Sequence, residues 1–390
     1  MSKILFISYV SNQHSGVGNR VYYLSRELAK KSHEVHVITK QGEYVSNEVN
    51  AYYVQIPKHI FKVPPVPLPQ VSIFNLLAYK KFEEIKYKIK PDLIDVQHVH
   101  ISPLAHIIKE KNNLVLTCHG TEIGRTIGMY GRIPVGLIQF TSTIEKYTFS
   151  KLNRIIAVST RVKKELIDYY NLSKEKILLI PNGIDISEFK NKQESTLNLH
   201  SKFNADYILI NVGGYSSIKG IYEAIKALKH IRDLNWIFIV IGGGPRKDLI
   251  LVKKLLKQYN LDNRVLLLGS LKKELVKNIV QEADIYIHPS LYESFGIAVL
   301  EAMALEKPIV ASRIDSLKEL VNDAGILVSV SDISGLANAI RNLLEDSELR
   351  RNLARKAYER ALKYDWNNIA TIYENFALNK VKNMKNNEIP

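Results

Sequence analysis

Short apolar runs alternate with helix-patterned stretches along most of this sequence, and that alternation restricts the fold more than any other feature. In the first half the runs are Ile4–Val10, Glu34–Ile38, Leu93–Gln97, Leu114–Cys118, Ile155–Val158 and Ile177–Ile180. In the second half they are Tyr207–Val212, Trp236–Ile241, Val265–Leu268, Ile285–His288, Pro308–Ala311 and Gly325–Val328. Repeated strand–helix–strand units build parallel sheets with crossover helices. The two groups are separated by Glu188–Phe203, which is polar and without a period, and reads as a linker with a short helix. The expectation is an α/β chain of two doubly wound parallel-sheet domains, residues 1–187 and 204–364. A second boundary falls near Lys363–Asp365. After it, Trp366, Ile369, Tyr373 and Phe376 recur at helical spacing over 365–380, a stripe that needs a surface to pack on. From Lys380 the chain is rich in Lys and Asn and is expected to fray.

The bulk numbers agree with this division. A chain of 390 residues is too long for one typical core and suits two. No apolar run is long enough to span a bilayer. Ile4–Val10 leads into a polar, Gly-containing loop, so it reads as a first strand and not as a signal peptide. The one cysteine, Cys118, allows no intramolecular disulfide, which fits a cytoplasmic protein. The 54 Lys and Arg against 39 Asp and Glu give a formal charge of +15. Such a field attracts phosphates, nucleic acid or an anionic membrane, although a general Lys, Ile, Asn and Tyr bias would produce it too. There is no zinc-ligand pattern and no aromatic-basic strand of the RNA-recognition type, so nucleic acid is not an expected partner.

In open parallel sheets ligands bind beyond the carboxyl ends of the strands. Four motifs stand at such places. Ser15-Gly16-Val17-Gly18-Asn19 follows the first strand and opens a helix; it could offer N–H groups to an anion or serve as a plain strand-to-helix turn. His119-Gly120-Thr121-Glu122 follows Leu114–Cys118. His119 there could donate a hydrogen bond to a sugar hydroxyl or be held by backbone, and His98 and His100 raise the same question. Gly213-Gly214-Tyr215-Ser216-Ser217-Ile218-Lys219-Gly220 follows Tyr207–Val212. A lysine opening a helix opposes the macrodipole unless an anion is present, so Lys219 is either a phosphate ligand or a solvated turn residue.

The most specific stretch runs from Pro289 to Glu301 after Ile285–His288. Glu293 lies on its loop, and Gly296 marks the turn into a helix. Phe295, Gly296, Ile297 and Ala298 form the approach, where the free N–H groups from Gly296 to Ala298 can hold a diphosphate. Glu301 lies about one and a half turns into that helix. Carboxylates suit vicinal hydroxyls because they accept two hydrogen bonds at once. An N-cap acid would explain Glu293, but a solvated helical Glu does not explain Glu301 among apolar neighbours.

These motifs, in this order, resemble the retaining GT-B glycosyltransferases of family 4. The resemblance covers nearly the whole chain. It includes Gly16–Gly18, His119-Gly120, Ile180-Pro181-Asn182-Gly183-Ile184-Asp185, Lys219-Gly220, Gly242-Gly243-Gly244-Pro245, the Glu293/Glu301 pair and Tyr364-Asp365-Trp366. It implies two Rossmann-like domains facing a cleft, with residues 365–380 crossing back to the first, acceptor-side domain. It implies transfer of a hexose from a nucleotide-diphosphate sugar, such as a UDP or GDP sugar, to a glycan or lipid-linked acceptor, with no metal or other cofactor. Glu301 would bind the ribose, Glu293 the sugar hydroxyls, Lys219 the departing diphosphate, and His119 the sugar near the reacting carbon. Gly16 and Gly18 would bring backbone N–H groups to the phosphates or the acceptor. One departure is evident: the family's diphosphate-binding Arg is replaced by Gly214, so that Arg313 or Arg246 would have to substitute. A catalytically weak nucleotide-sugar-binding protein, or another GT-B enzyme such as an epimerase, is the competing reading.

Residues Lys58–Pro69 form a Pro-rich apolar loop with two lysines. The following helix carries Phe74, Ala78, Phe82, Ile85 and Ile89 on one stripe, with Lys80, Lys81, Lys86, Lys88 and Lys90 off it. This is the pattern of a basic amphipathic helix on the cytoplasmic face of an anionic membrane, or of a helix packed on its own sheet with solvated lysines.

Overall fold

The structure is a computed structural model that describes residues 1–12, 15–57, 68–98, 104–108, 113–130, 137–190 and 197–378. The loop Lys58–Pro67, His100 and the tail from Lys380 lie outside the described residues. The chain forms two compact units, Met1–Gly183 with Trp366–Pro390, and Ile184–Asp365. No helix among the described residues is long and apolar enough to cross a membrane.

The first unit is built on seven parallel strands: β1 (Lys3–Ser8), β2 (Glu34–Lys40), β3 (Asn50–Val54), β4 (Leu93–His98), β5 (Leu114–Cys118), β6 (Ile155–Ala157) and β7 (Ile177–Leu179). Their order is β3-β2-β1-β4-β5-β6-β7, so the winding reverses between β1 and β4. The strand β3 escapes sequence reading. It is short, pairs only with β2 at the sheet edge, and exposes Asn50 and Tyr53, so it shows neither a buried run nor an alternation.

The second unit has six parallel strands: β8 (Tyr207–Val212), β9 (Trp236–Ile241), β10 (Val265–Gly269), β11 (Ile285–His288), β12 (Ile309–Ser312) and β13 (Gly325–Val328). Their order is β10-β9-β8-β11-β12-β13, with the reversal between β8 and β11. Central strands such as Trp236–Ile241 are buried along their whole length, as a sheet covered on both faces requires.

The terminal helix Trp366–Tyr373 belongs to the first unit, although the whole second unit precedes it in sequence. Trp366, Ile369 and Tyr373 are buried there with Val21 and Leu24 of the helix Gly16–Lys30, and Trp366 stacks on Tyr23. Phe376 does not continue the stripe and is 50% exposed. The backbone loosens to a π-helical turn over Glu374–Leu378, which advances the buried positions to Ala377 and Leu378.

The helix Leu68–Ile89 buries Phe74, Ala78, Phe82, Ile85 and Ile89 within this unit, so the apolar stripe is core and not a membrane face. Lys81 and Lys86 pair with Glu84 and Glu83. Its outer side still exposes Leu76 and Tyr87, at 65% and 75%, together with Lys80, Lys88 and Lys90.

Candidate active site

Loops leaving β8 and β11 diverge from adjacent strand ends at the reversal point, where doubly wound sheets take their ligands. That topology brings Lys219 and Glu293 together across 74 residues of sequence. Lys219 ends the short turn Ser217–Lys219 after β8. Glu293 stands between β11 and the helix Ile297–Ala304. Lys219 Nζ donates to Glu293 Oε2 at 2.6 Å. His288, the last residue of β11 and buried, places Nε2 3.3 Å from the same oxygen and 3.0 Å from Ser290 Oγ. The Ser316 hydroxyl donates to the Glu293 carbonyl at 2.7 Å and fixes the loop.

Lys219, His288 and Glu293 line a pocket of about 380 Å³ together with Gly213, Gly242, Ser270, Gly296 and Ala298. Gly296 caps the helix Ile297–Ala304, whose first amides lack intrahelical partners and add positive potential. Burial pushes the Glu293 carboxyl up, but the Lys219 ammonium and the contact with His288 outweigh it and hold it at about 2. Glu293 is therefore a carboxylate at neutral pH, and both of these contacts meet its Oε2.

Glu301 sits farther along the same helix and is not among the residues lining this pocket. Burial pushes its carboxyl up, Lys273 pulls it down, and Glu188 adds to the rise. Phe295 is buried and meets Tyr364 edge-on with ring centroids 5.9 Å apart, so only its backbone is available to a ligand. Ile297 is half-buried at the helix start.

Gly214 has a physical reason to be glycine. Its φ is +78°, and a Cβ there would lie 1.9 Å from the Gly243 carbonyl oxygen. The loop after β8 lies directly on the loop after β9, and an arginine at 214 has no room in this backbone. Arg313 does not take its place: it is exposed and its guanidinium donates to the Leu327 carbonyl. Arg246 opens the helix Arg246–Gln258 and is exposed. Among the described residues lining the pocket, the cation is Lys219.

His119, Gly16 and Gly18 belong to the first unit. Gly16 is exposed at the first position of its helix. Gly18 is buried, its N–H donates to the Ser15 side chain, and a Cβ would lie 2.1 Å from the Asn12 carbonyl oxygen. Its role in this structure is close packing of the helix on the preceding loop. That loop is itself held by Glu43, which accepts from the amides of Ser11 and Asn12. His119 follows β5 and brings Nε2 to 2.9 Å from Gln97 Oε1. Sequence reasoning passed over His288 and Gln97 because both were absorbed into strand ends. A polar residue closing an apolar run at the carboxyl edge was the available signal.

Two family models match the chain, "Glycosyl transferases group 1" over residues 193–360 and "Glycosyltransferase Family 4" over residues 14–188. The chain is 26% identical over 386 residues to the N-acetyl-alpha-D-glucosaminyl L-malate synthase of Bacillus anthracis, covering 94% of each chain. It is 25% identical to the phosphatidylinositol N-acetylglucosaminyltransferase GPI3 subunit of Saccharomyces cerevisiae, over 92% of this chain and 78% of that one. In fold it is similar to the sucrose-phosphate synthase of Thermosynechococcus elongatus, with a TM-score of 0.76 at 22% identity, covering 95% of this chain and 97% of that one.

Proposed function

The chain belongs to the group 1, family 4 glycosyltransferases with the GT-B fold, and from that premise we propose that it moves a hexosyl unit from a nucleotide-diphosphate sugar to an acceptor hydroxyl with retention of configuration. The observation that carries this reading is the Lys219–Glu293 pair in the pocket beyond β8 and β11. The entering diphosphate takes the Lys219 ammonium and the first amides of the helix Ile297–Ala304. Glu293, released from Lys219, accepts from the donor sugar's hydroxyls, and Glu301 accepts from the ribose. His119 contacts the sugar near the reacting carbon.

The chemistry follows from these charges. As the bond from the anomeric carbon to the phosphate oxygen breaks, negative charge grows on the diphosphate, and Lys219 is placed to stabilise it. The carbon becomes oxocarbenium-like, and the acceptor oxygen bonds to it on the face the phosphate leaves. In this reading Glu293 is engaged by the donor sugar's hydroxyls, so it is not the acceptor's base. The departing phosphate oxygen is the base that remains on that face. Lys219 takes the neutralising role, so turnover is expected without a divalent metal.

The likeness to an N-acetyl-alpha-D-glucosaminyl L-malate synthase and to a phosphatidylinositol N-acetylglucosaminyltransferase subunit supports a hexose or N-acetylhexosamine as the donor sugar and a small hydroxyl compound or a lipid as acceptor. The exposed Leu76, Lys80 and Tyr87, at helical spacing on one side of Leu68–Ile89, support an anionic membrane surface beside the first unit. This reading puts the protein in the cytoplasm, as expected from the single cysteine, Cys118. A thermal-shift panel of nucleotide sugars, followed by mass spectrometry of products formed with and without EDTA, tests the reaction. No stabilisation by any donor and no product would refute it. Co-sedimentation with anionic but not neutral vesicles, lost when Lys80 and Tyr87 are replaced, tests the membrane surface.

A further inference from the structure

The first unit buries a chain of polar side chains that the reaction as described does not use. In β4 the period of two puts Leu93, Asp95 and Gln97 on one face. Gln97 is in register with Thr117 of β5, so Thr117 and then His119 follow on that face. Leu93 and Val115 share a core with Trp366, Ile369 and Tyr373, which identifies the terminal helix as the cover. Asp95, Tyr373 and Arg20 are 0% exposed. A charge in such a place persists only with partners.

Asp95 has them. Thr117 Oγ1 donates to Oδ1 at 2.7 Å, Gln97 Nε2 to the same oxygen at 2.8 Å, and Tyr373 OH to Oδ2 at 2.8 Å. The Arg20 guanidinium supplies the opposite charge, and its Nη1 donates to the carbonyls of Ile180 and Pro181. Burial pushes the Asp95 carboxyl up, and the Arg20 guanidinium and the three hydrogen bonds oppose that rise; each of those bonds is donated to Asp95, which is the acceptor of the cluster. The Gln97 amide must therefore turn its NH₂ to Asp95 and its oxygen away. That oxygen is the atom 2.9 Å from His119 Nε2. An amide oxygen only accepts, so Nε2 carries the proton, and in the neutral ring Nδ1 is the acceptor nitrogen.

We propose that Tyr373, Asp95 and Gln97 are positioning residues that fix the tautomer and orientation of His119, so that the terminal helix is a working part of the reaction and not only a cover for the core. The consequence differs from the role expected from the sequence: the Nε2–H is given to Gln97 and not to a sugar hydroxyl. The proposal rests on the reading of His119 as a donor-sugar contact.

The test uses the full chain labelled with ¹⁵N-histidine, without substrate. Long-range ¹H–¹⁵N correlation reports each ring's tautomer, and His119→Gln identifies the signal. At a pH above the imidazole titration, His119 is expected as the Nε2–H form. Gln97→Leu should turn it into an averaged mixture, and Tyr373→Phe should shift it part of the way. With donor and acceptor, both variants should lose about ten- to a hundredfold in kcat with little change in the donor KM, since misplacement of a contacting group has that scale. Tyr373→Phe removes one oxygen and carries the test if Gln97→Leu does not fold. An Nδ1–H ring in the wild type, or a His119 signal unchanged in both variants, would overturn the relay. An Nε2–H ring sensitive to both variants in a protein that turns over no donor would support the relay and count against the glycosyltransfer reading instead.

Discussion

Replacing Lys219 by Met keeps most of the side-chain volume and removes the charge that meets Glu293 at 2.6 Å. Two effects should separate. The first is on stability. The fall of the Glu293 carboxyl from 4.5 to about 2 corresponds to about 3 kcal/mol of preference for its ionised form. His288 supplies part of this, and both partners keep some solvent contact, so Lys219→Met should cost about 2 kcal/mol at pH 7. Because the folded value is depressed, this contribution is complete above about pH 4.5 and fades as the pH falls towards 2. The difference between variant and wild type, measured by urea denaturation, should therefore shrink between pH 7 and about pH 3. The second effect is on chemistry. Loss of one preorganised positive charge at the leaving group should cost about 2–4 kcal/mol in the transition state, a fall of about 30- to 1000-fold in kcat. Release of nucleoside diphosphate at saturating donor measures it. A kcat within about threefold of wild type, or a stability loss independent of pH, would refute the assignment of Lys219 to the departing diphosphate.

Glu301→Gln should raise the donor KM with a smaller change in kcat, because a ribose contact is made equally before and during reaction; unchanged donor kinetics would remove Glu301 from the site. Gly214→Arg should lose about 2 kcal/mol or more of stability and gain no donor affinity, since a side chain there meets the Gly243 carbonyl at a φ of +78°. Tighter donor binding at wild-type stability would show that the loop accommodates the family's arginine. Leu378→Ala should destabilise by about 2 kcal/mol while Phe376→Ala stays within about 0.5 kcal/mol, as burial after the π-helical turn requires; the reverse order would restore the uninterrupted stripe. Turnover should persist in EDTA, and activity that vanishes there and returns with magnesium or manganese would contradict Lys219 as the neutralising group.

The alternating runs made both sheets legible, because strands buried on two faces leave short apolar segments whose regular alternation with helical patterns marks parallel sheets. The edge strand Asn50–Val54 was not legible, because its pairing on one side leaves its outer residues in solvent. The stripe Phe74–Ile89 shows a limit of periodicity: the same pattern serves a membrane face and a core face, and only the packed structure decides. Lys219 and Glu293 were legible as candidates from loops after strands, but their meeting depends on β8 and β11 being neighbours. The Gly214 reading improved for a related reason, since the sequence shows a missing arginine while the structure shows a carbonyl in the way. The relay from Tyr373 to His119 spans the interval in which the second unit is inserted. The polar Asp95 and Gln97 inside an apolar strand were its visible trace.

The measurement that bears most directly on the assigned activity is the anomeric configuration of the product. The chain is incubated with the nucleotide sugar that stabilises it most and with candidate acceptors, and the configuration of the glycoside formed is read from its anomeric proton by ¹H NMR. The expected result is one nucleoside diphosphate released per glycoside formed, with the donor's anomeric configuration kept and the product lost in Lys219→Met. A product of inverted anomeric configuration, or no product from any donor under conditions where the protein is folded and binds nucleotide, would contradict it.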